Sequence, residues 1–152
     1  MHALNNGLLE VEVLDPERDQ ERFGTRYCTG GYIFQVTDVK RGPLTSGATY
    51  PDSFNVFDGQ GMPDAFNMNP LRHPKEPDAP ALVIGIGQCD LAANKVLEFC
   101  RWEVAVEEAQ VRMTTNQSYE SYGLELERVV AVLGRTVRSR IRLTVTGRAQ
   151  VP

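Results

Sequence analysis

The sequence predicts an all-β fold, an antiparallel β-sandwich formed by one domain over residues 1–152. Apolar residues alternate with polar ones in several short segments, which is the period of a strand with one buried face. Turn residues separate neighbouring segments, which favours antiparallel pairing of consecutive strands. No convincing 3.6-residue apolar stripe is present, so the pattern is not that of an α/β fold.

The first half supplies two predicted strands. In residues 8–14, Leu9, Val11 and Val13 alternate with glutamates, as expected of a strand with one wet face. A second strand is predicted at residues 32–39, directly after Gly30-Gly31, a pair that suggests a bulge or a close approach of the backbone. Residues 40–43, Lys-Arg-Gly-Pro, supply the turn that follows.

Residues 45–80 form a predicted long loop. Six prolines in this stretch forbid long helices and central strands. Loops of this length in compact domains are usually functional or disordered, and four aromatic residues favour an ordered, packed loop here.

The second half is dense in strand signals. Strands are predicted at residues 81–86 and 96–106, and a turn at 107–109 returns the chain through Val111 and Met113. A second hairpin joins residues 124–133 to 137–145 around Gly134. In its last strand the apolar residues point one way and the arginines the other, so one face should be buried and one wet.

Composition and charge limit the partners and the compartment. Sixteen Lys and Arg against twenty Asp and Glu give a net charge of -4, so we expect neither nucleic acid nor an anionic membrane as a partner. No signal pattern and no apolar run of about 20 residues is present, and we expect a cytoplasmic protein. The widely spaced Cys28, Cys89 and Cys100 predict reduced, buried thiols rather than disulfides or a zinc site.

One glycine pattern could indicate a cofactor. Gly85-Ile-Gly87 follows an apolar strand, as in the phosphate-binding turn of dinucleotide-binding folds. Asp90 occupies the third glycine position, and no helix pattern follows it. A strand bend with two glycines is the favoured interpretation, and no cofactor is expected.

The two histidines of the sequence are weak candidates for catalytic residues. His2 lies in a terminus expected to fray, and His73 lies in the proline-rich loop. The imidazole of His73 could act as an acid or base near neutral pH, although a solvated surface histidine is the common alternative. Motifs of serine hydrolases, zinc proteases and P-loop NTPases are absent, and no metal site is predicted.

Two further patterns remain open. Glu125 and Glu127 share one side of a strand whose neighbour carries several arginines, which predicts either cross-strand ion pairs or an anion-binding groove. The segment at residues 57–66, with Phe57 and Gln60, combines aromatic faces with short polar groups. That mixture suits stacking on a sugar ring and hydrogen bonding to its hydroxyls, and equally suits a loop packed over a sheet.

A family likeness adds to this. Residues 24–36 (Gly-Thr-Arg-Tyr-Cys-Thr-Gly-Gly-Tyr-Ile-Phe-Gln-Val), Trp102-Glu-Val with residues 122–130, and residues 139–147 together resemble the N-terminal half of aldose 1-epimerase-like (galactose mutarotase-like) proteins. The resemblance implies part of a two-sheet supersandwich with a sugar cleft on one sheet. It also implies a carboxylate base and a histidine acid, which lie mainly beyond the strand matching residues 140–147. His73 matches neither motif, so no catalytic residue is assigned.

The sequence therefore predicts a carbohydrate-binding domain, with anomer interconversion of the aldose 1-epimerase type if further chain completes the cleft. The candidate sugar contacts are Arg26, Phe57, Gln60 and His73. The alternative is a non-catalytic structural or interaction module. Half a supersandwich has exposed strand edges, so we expect a homo-oligomer or a missing second half.

Overall fold

The computed structural model describes residues 1–45 and 70–147. A short helix, α1 (Gln20–Phe23), and a 3-10 turn (Thr25–Tyr27) are the helical elements of this part of the chain. The rest of its regular structure is strand: β1 (His2–Asn5), β2 (Leu9–Val13), β3 (Ile33–Asp38), β4 (Gly42–Pro43), β5 (Ala81–Val83), β6 (Gly87–Asp90), β7 (Lys95–Phe99), β8 (Glu103–Val106), β9 (Gln110–Tyr119), β10 (Tyr122–Leu133) and β11 (Thr136–Thr146). In the described ranges no helix is long and apolar enough to cross a membrane.

The strands form three antiparallel sheets. The first has the order β1-β2-β3-β4, the second β11-β10-β9-β8, and the third β5-β6-β7. Within each sheet consecutive strands are neighbours; short connections join most of them, whereas residues 14–32 with the helical elements connect β2 to β3. The all-β antiparallel sandwich predicted from alternation is confirmed.

One apolar core joins the sheets. The predicted inward residues of β2, Leu9, Val11 and Val13, are buried against Met113 of β9 and Leu126 of β10. The third sheet and Trp102 add to the same cluster. Burial of this apolar surface is the main stabilising term, at about 25 cal/mol per Å² removed from water.

Gly30 and Gly31 make the close approach that their pairing predicts. A Cβ on Gly30, where φ is +79°, would lie 2.4 Å from the ring of Trp102. A Cβ on Gly31 would lie 3.1 Å from the side chain of Arg128, which is buried. Glycine therefore lets this segment pack its backbone directly against the side chains of Trp102 and Arg128.

Several predicted boundaries are wrong. Residues 81–86 do not form one strand, because the chain turns at 84–86, where Gly85 has φ +85°, and returns as β6. A strand rather than a helix follows the glycines, so they form a hairpin turn and not a helix-capping phosphate loop. The strand predicted at 96–106 is likewise two strands, β7 and β8, separated at residues 100–102.

Two smaller expectations also differ. His2 is not in a frayed end, since it begins β1 and its Nε2 lies 2.9 Å from Oδ2 of Asp15. The apolar side of β11 is only partly buried, and Val145 remains 40% exposed. β11 lies at the edge of its sheet, so it is covered from one side by β10.

Candidate functional site: a cleft between β7 and β9

A cleft of about 250 Å³ lies between the β6–β7 hairpin and the edge of β9. It is lined by residues 87–88, 98–101 and 116–118, together with Leu82. β8 pairs with β9 only over residues 111–114, so the last part of β9 has no strand partner from β8. That free edge faces the hairpin and opens the cleft, which we call the β7–β9 cleft.

A side-chain to backbone hydrogen bond holds the cleft together. The N–H of Gly85 donates to Oε1 of Gln117 at 2.8 Å, which docks the turn at 84–86 onto β9. The Nε2 of Gln117 is buried and has no hydrogen-bond partner among the described residues. An unsatisfied buried donor costs about 1–3 kcal/mol, a cost that a new hydrogen bond from Nε2 would relieve.

A close backbone approach forms the opposite wall. A Cβ on Gly87 would lie 2.0 Å from the carbonyl oxygen of Glu98, so only glycine lets β6 and β7 approach to this distance. Gln88 stands opposite Glu98 in the ladder. Phe99, at the end of β7, is 41% exposed and is one of the residues that line the cleft.

The lining charges are balanced. Glu98 and Arg101 both line the cleft and carry opposite formal charges. The other polar lining groups are amides and a hydroxyl: Gln88, Asn116, Gln117 and Ser118. Neutral donors and acceptors around one aromatic face suit a neutral, hydroxyl-rich ligand better than an ionic one.

The cysteine in the cleft lacks the features of a nucleophile. The N–H of Cys100 donates to the carbonyl of Ile86 at 2.8 Å, which fixes its backbone. Burial raises the pKa of the Cys100 thiol, which disfavours the reactive thiolate. Cys28 and Cys89 are also unpaired and are buried as predicted, and burial raises the pKa of both, whereas Cys100 is only partly buried.

His73 follows a segment that pairs with a cleft residue, and its side chain lies near Glu120. Leu71 pairs with the cleft residue Leu82 through two backbone hydrogen bonds of 2.8 and 3.0 Å. Two residues later, Nδ1 of His73 accepts the N–H of Lys75 at 3.3 Å, which leaves Nε2 to carry the proton of the neutral ring. That Nε2 lies 3.8 Å from Oε1 of Glu120.

Glu120 occupies an unusual turn position. It follows β9 in the two-residue connection to β10, two residues after the cleft residue Ser118. Its φ is +53°, a left-handed conformation that costs a non-glycine residue about 1–2 kcal/mol. Such costs cluster at functional sites.

The other predicted sugar contacts lie elsewhere. Phe57, Gln60 and the side chain of Arg26 are outside the part of the chain that the structure describes. The backbone of Arg26 belongs to the 3-10 turn, whose Thr25 lines a second hollow of about 450 Å³ beside Val83, Cys89 and Lys95. Of the four predicted contacts, His73 is the one whose side chain the structure describes, and it does not line the β7–β9 cleft but follows Leu71, which pairs with the lining residue Leu82.

Glu127 makes the cross-strand ion pairs predicted for the acidic strand. It is 7% exposed, and its carboxylate lies 2.6 Å from Nη1 of Arg112 and 3.5 Å from Nη2 of Arg140. Arg112, on β9, was not among the predicted partners. Glu125 instead stands opposite Asn116 and Thr144.

No arrangement of three or more His, Cys, Asp or Glu side chains suited to a metal ion occurs within residues 1–45 and 70–147. The cleft residues Phe99, Gln88 and Gln117 were missed from sequence. One signal could have found Gln117, since it stands opposite Leu124 on the core side of β10, where the alternation predicts an apolar residue.

In comparisons with known proteins, no family model, curated protein or solved structure matches this chain. The likeness to aldose 1-epimerase-like proteins therefore stays a prediction that rests on strand patterns.

Proposed function

We propose that the protein binds a carbohydrate in the β7–β9 cleft. The observation that supports the proposal is the lining itself, an exposed phenylalanine, Phe99, among residues that carry amide, hydroxyl and balanced charged groups. Sugars present an apolar C–H face and a ring of hydroxyls, and this lining offers a partner to each.

The size of the cleft limits the ligand. Its volume of about 250 Å³ is smaller than the roughly 300–1,000 Å³ of sites for drug-sized molecules. One sugar ring is the unit we expect it to hold. Rotation of the Gln117 side chain into the cleft would expose Nε2, which is buried and has no partner among the described residues, and let it donate to a sugar oxygen.

The proposed reaction is interconversion of sugar anomers. Ring opening needs one group to remove the proton of the anomeric hydroxyl and another to protonate the ring oxygen. His73 and Glu120 form an imidazole–carboxylate pair 3.8 Å apart, and each lies two residues from a segment that contacts or lines the cleft. In the proposed step Glu120 removes the anomeric proton and Nε2 of His73 donates its proton to the ring oxygen, so both side chains must turn from each other towards the sugar; reclosure of the ring returns the two protons.

Calorimetric titration tests the binding. Glucose, galactose and their phosphates should include at least one ligand with saturable heat, and Phe99→Ala should weaken its binding roughly tenfold through loss of stacking. Leu97→Ala is the matched control, because Leu97 is on the same strand and 51% exposed but does not line the cleft. Absence of saturable heat throughout the panel, or equal effects of the two variants, rejects the site and favours a non-catalytic interaction module.

Polarimetry tests the reaction. The protein should accelerate the rotation change of a freshly dissolved bound sugar, and His73→Gln or Glu120→Gln should remove the acceleration while sugar affinity stays within a few-fold. A rotation rate equal to that in buffer contradicts the catalytic part and leaves the binding part to its own test.

A further inference from the structure

The outer edge of β11 is a long, regular and unpaired strand. β11 pairs with β10 over eleven consecutive residue pairs, from Thr136 to Thr146, without a register shift. On its other side no strand pairs with it within residues 1–45 and 70–147. Alternate N–H and C=O groups along such an edge point away from the sheet and can pair with an added strand.

β11 lacks several features that usually prevent an edge strand from pairing with another chain. The other edge of this sheet, β8, is four residues long, whereas β11 spans eleven and contains neither proline nor a bulge. Its side chains are arranged in two rows. Arg138, Arg140 and Arg142 share the outward face, and Ile141, Leu143 and Val145 share the core face, where they are only partly covered.

The arginine row decides what can pair with this edge. Suppose that a second copy of β11 paired antiparallel with this edge, with Arg140 of one copy opposite Arg140 of the other. Arg138 of each copy would then stand opposite Arg142 of the other. Like charges directly opposite on one sheet face are destabilising. On its inner side β11 meets the opposite charge, because Glu127 of β10 stands across from Arg142 and binds Arg140 at 3.5 Å.

We propose that the outer edge of β11 binds an extended segment of another protein in which acidic and apolar residues alternate. The backbone of that segment would continue the ladder about 4.8 Å beyond β11. Its carboxylates would lie beside Arg138 and Arg142, which have no ion pair among the described residues, and its apolar side chains would cover Leu143 and Val145. This site is separate from the β7–β9 cleft.

A synthetic peptide of alternating Glu and Val tests the proposal on the full chain. Binding should slow amide hydrogen exchange in β11 and weaken as salt rises. A Lys-Val peptide should bind at least tenfold more weakly. Arg138→Glu combined with Arg142→Glu should reverse this preference, whereas Arg41→Glu, on an exposed turn of the first sheet, should leave it unchanged.

Peptide N-methylation separates strand addition from simple charge attraction. In a strand, alternate residues present their N–H groups to opposite sides. Two peptides are therefore compared, one methylated at every Glu nitrogen and one at every Val nitrogen. Methylation should abolish binding in one of them and leave it intact in the other. Equal binding of the two methylated peptides, no slowing of exchange in β11, or a homodimer joined through β11 would each overturn the proposal.

Discussion

Replacing Gly30 with alanine tests how closely the backbone at residues 30–31 packs against Trp102. The new Cβ would stand 2.4 Å from the ring of Trp102, which is itself buried in the core. The left-handed backbone at φ +79° adds a cost of about 1–2 kcal/mol for any side chain. Displacing a packed ring adds about 1–3 kcal/mol, for a total loss of about 2–5 kcal/mol in the free energy of unfolding.

Urea denaturation followed by fluorescence measures this loss directly, since Trp102 is the one tryptophan in the sequence. The midpoint should fall by on the order of 1–3 M urea, and the emission of the folded state should shift as the ring moves. Gly7→Ala is the control, because Gly7 has φ +78° but nothing within 4 Å of its Cβ position. If the two variants lose equal stability and leave the emission unchanged, the inferred contact is refuted.

Two further predictions concern titratable groups. Burial, with the nearby Asp19 and Asp15, raises the pKa of Cys28 from 9.0 to about 12. Iodoacetamide at pH 8 should therefore alkylate this thiol about a thousandfold more slowly in the folded than in the unfolded chain. Rapid alkylation under native conditions would contradict its burial. The hydrogen bond from the side chain of Arg135 lowers the pKa of Asp38 below its ordinary 3.8, and hydrogen bonds from backbone N–H groups lower it further. The ionised carboxylate therefore stabilises the fold above about pH 4, and this stabilisation is lost as the pH falls through the lowered pKa. Arg135→Gln should therefore lower the urea midpoint more at pH 7 than near pH 2, and an equal loss at both pH values would exclude the link.

Local sequence patterns predicted several strands of the sandwich correctly. The alternation of Leu9, Val11 and Val13 identified the buried face of β2, and the turn around Gly134 identified the β10–β11 hairpin, because both signals depend on residues close in sequence. The split between β5 and β6 was missed. Ile84 and Ile86 continue an apolar run, and nothing local shows that Gly85 adopts a positive φ.

The candidate site was less predictable because it joins segments distant in sequence. Gln117 meets Gly85 across 32 residues, and no periodicity predicts that pairing. His73 could be named as a candidate acid or base, but its partner Glu120 lies in a hairpin turn 47 positions further along the chain. Such contacts depend on how the third sheet packs against β9, which alternation within one strand does not specify.

Nuclear magnetic resonance of the cleft amides tests the central claim of carbohydrate binding most directly. Titration with the sugar panel should shift the side-chain NH₂ signals of Gln117 and the backbone N–H of Gly85 together, with one saturable dissociation constant. Val145, on the β11 edge, should stay unchanged. Unmoved Gln117 and Gly85 signals at saturating sugar, or shifts confined to residues outside the β7–β9 cleft, would contradict the account.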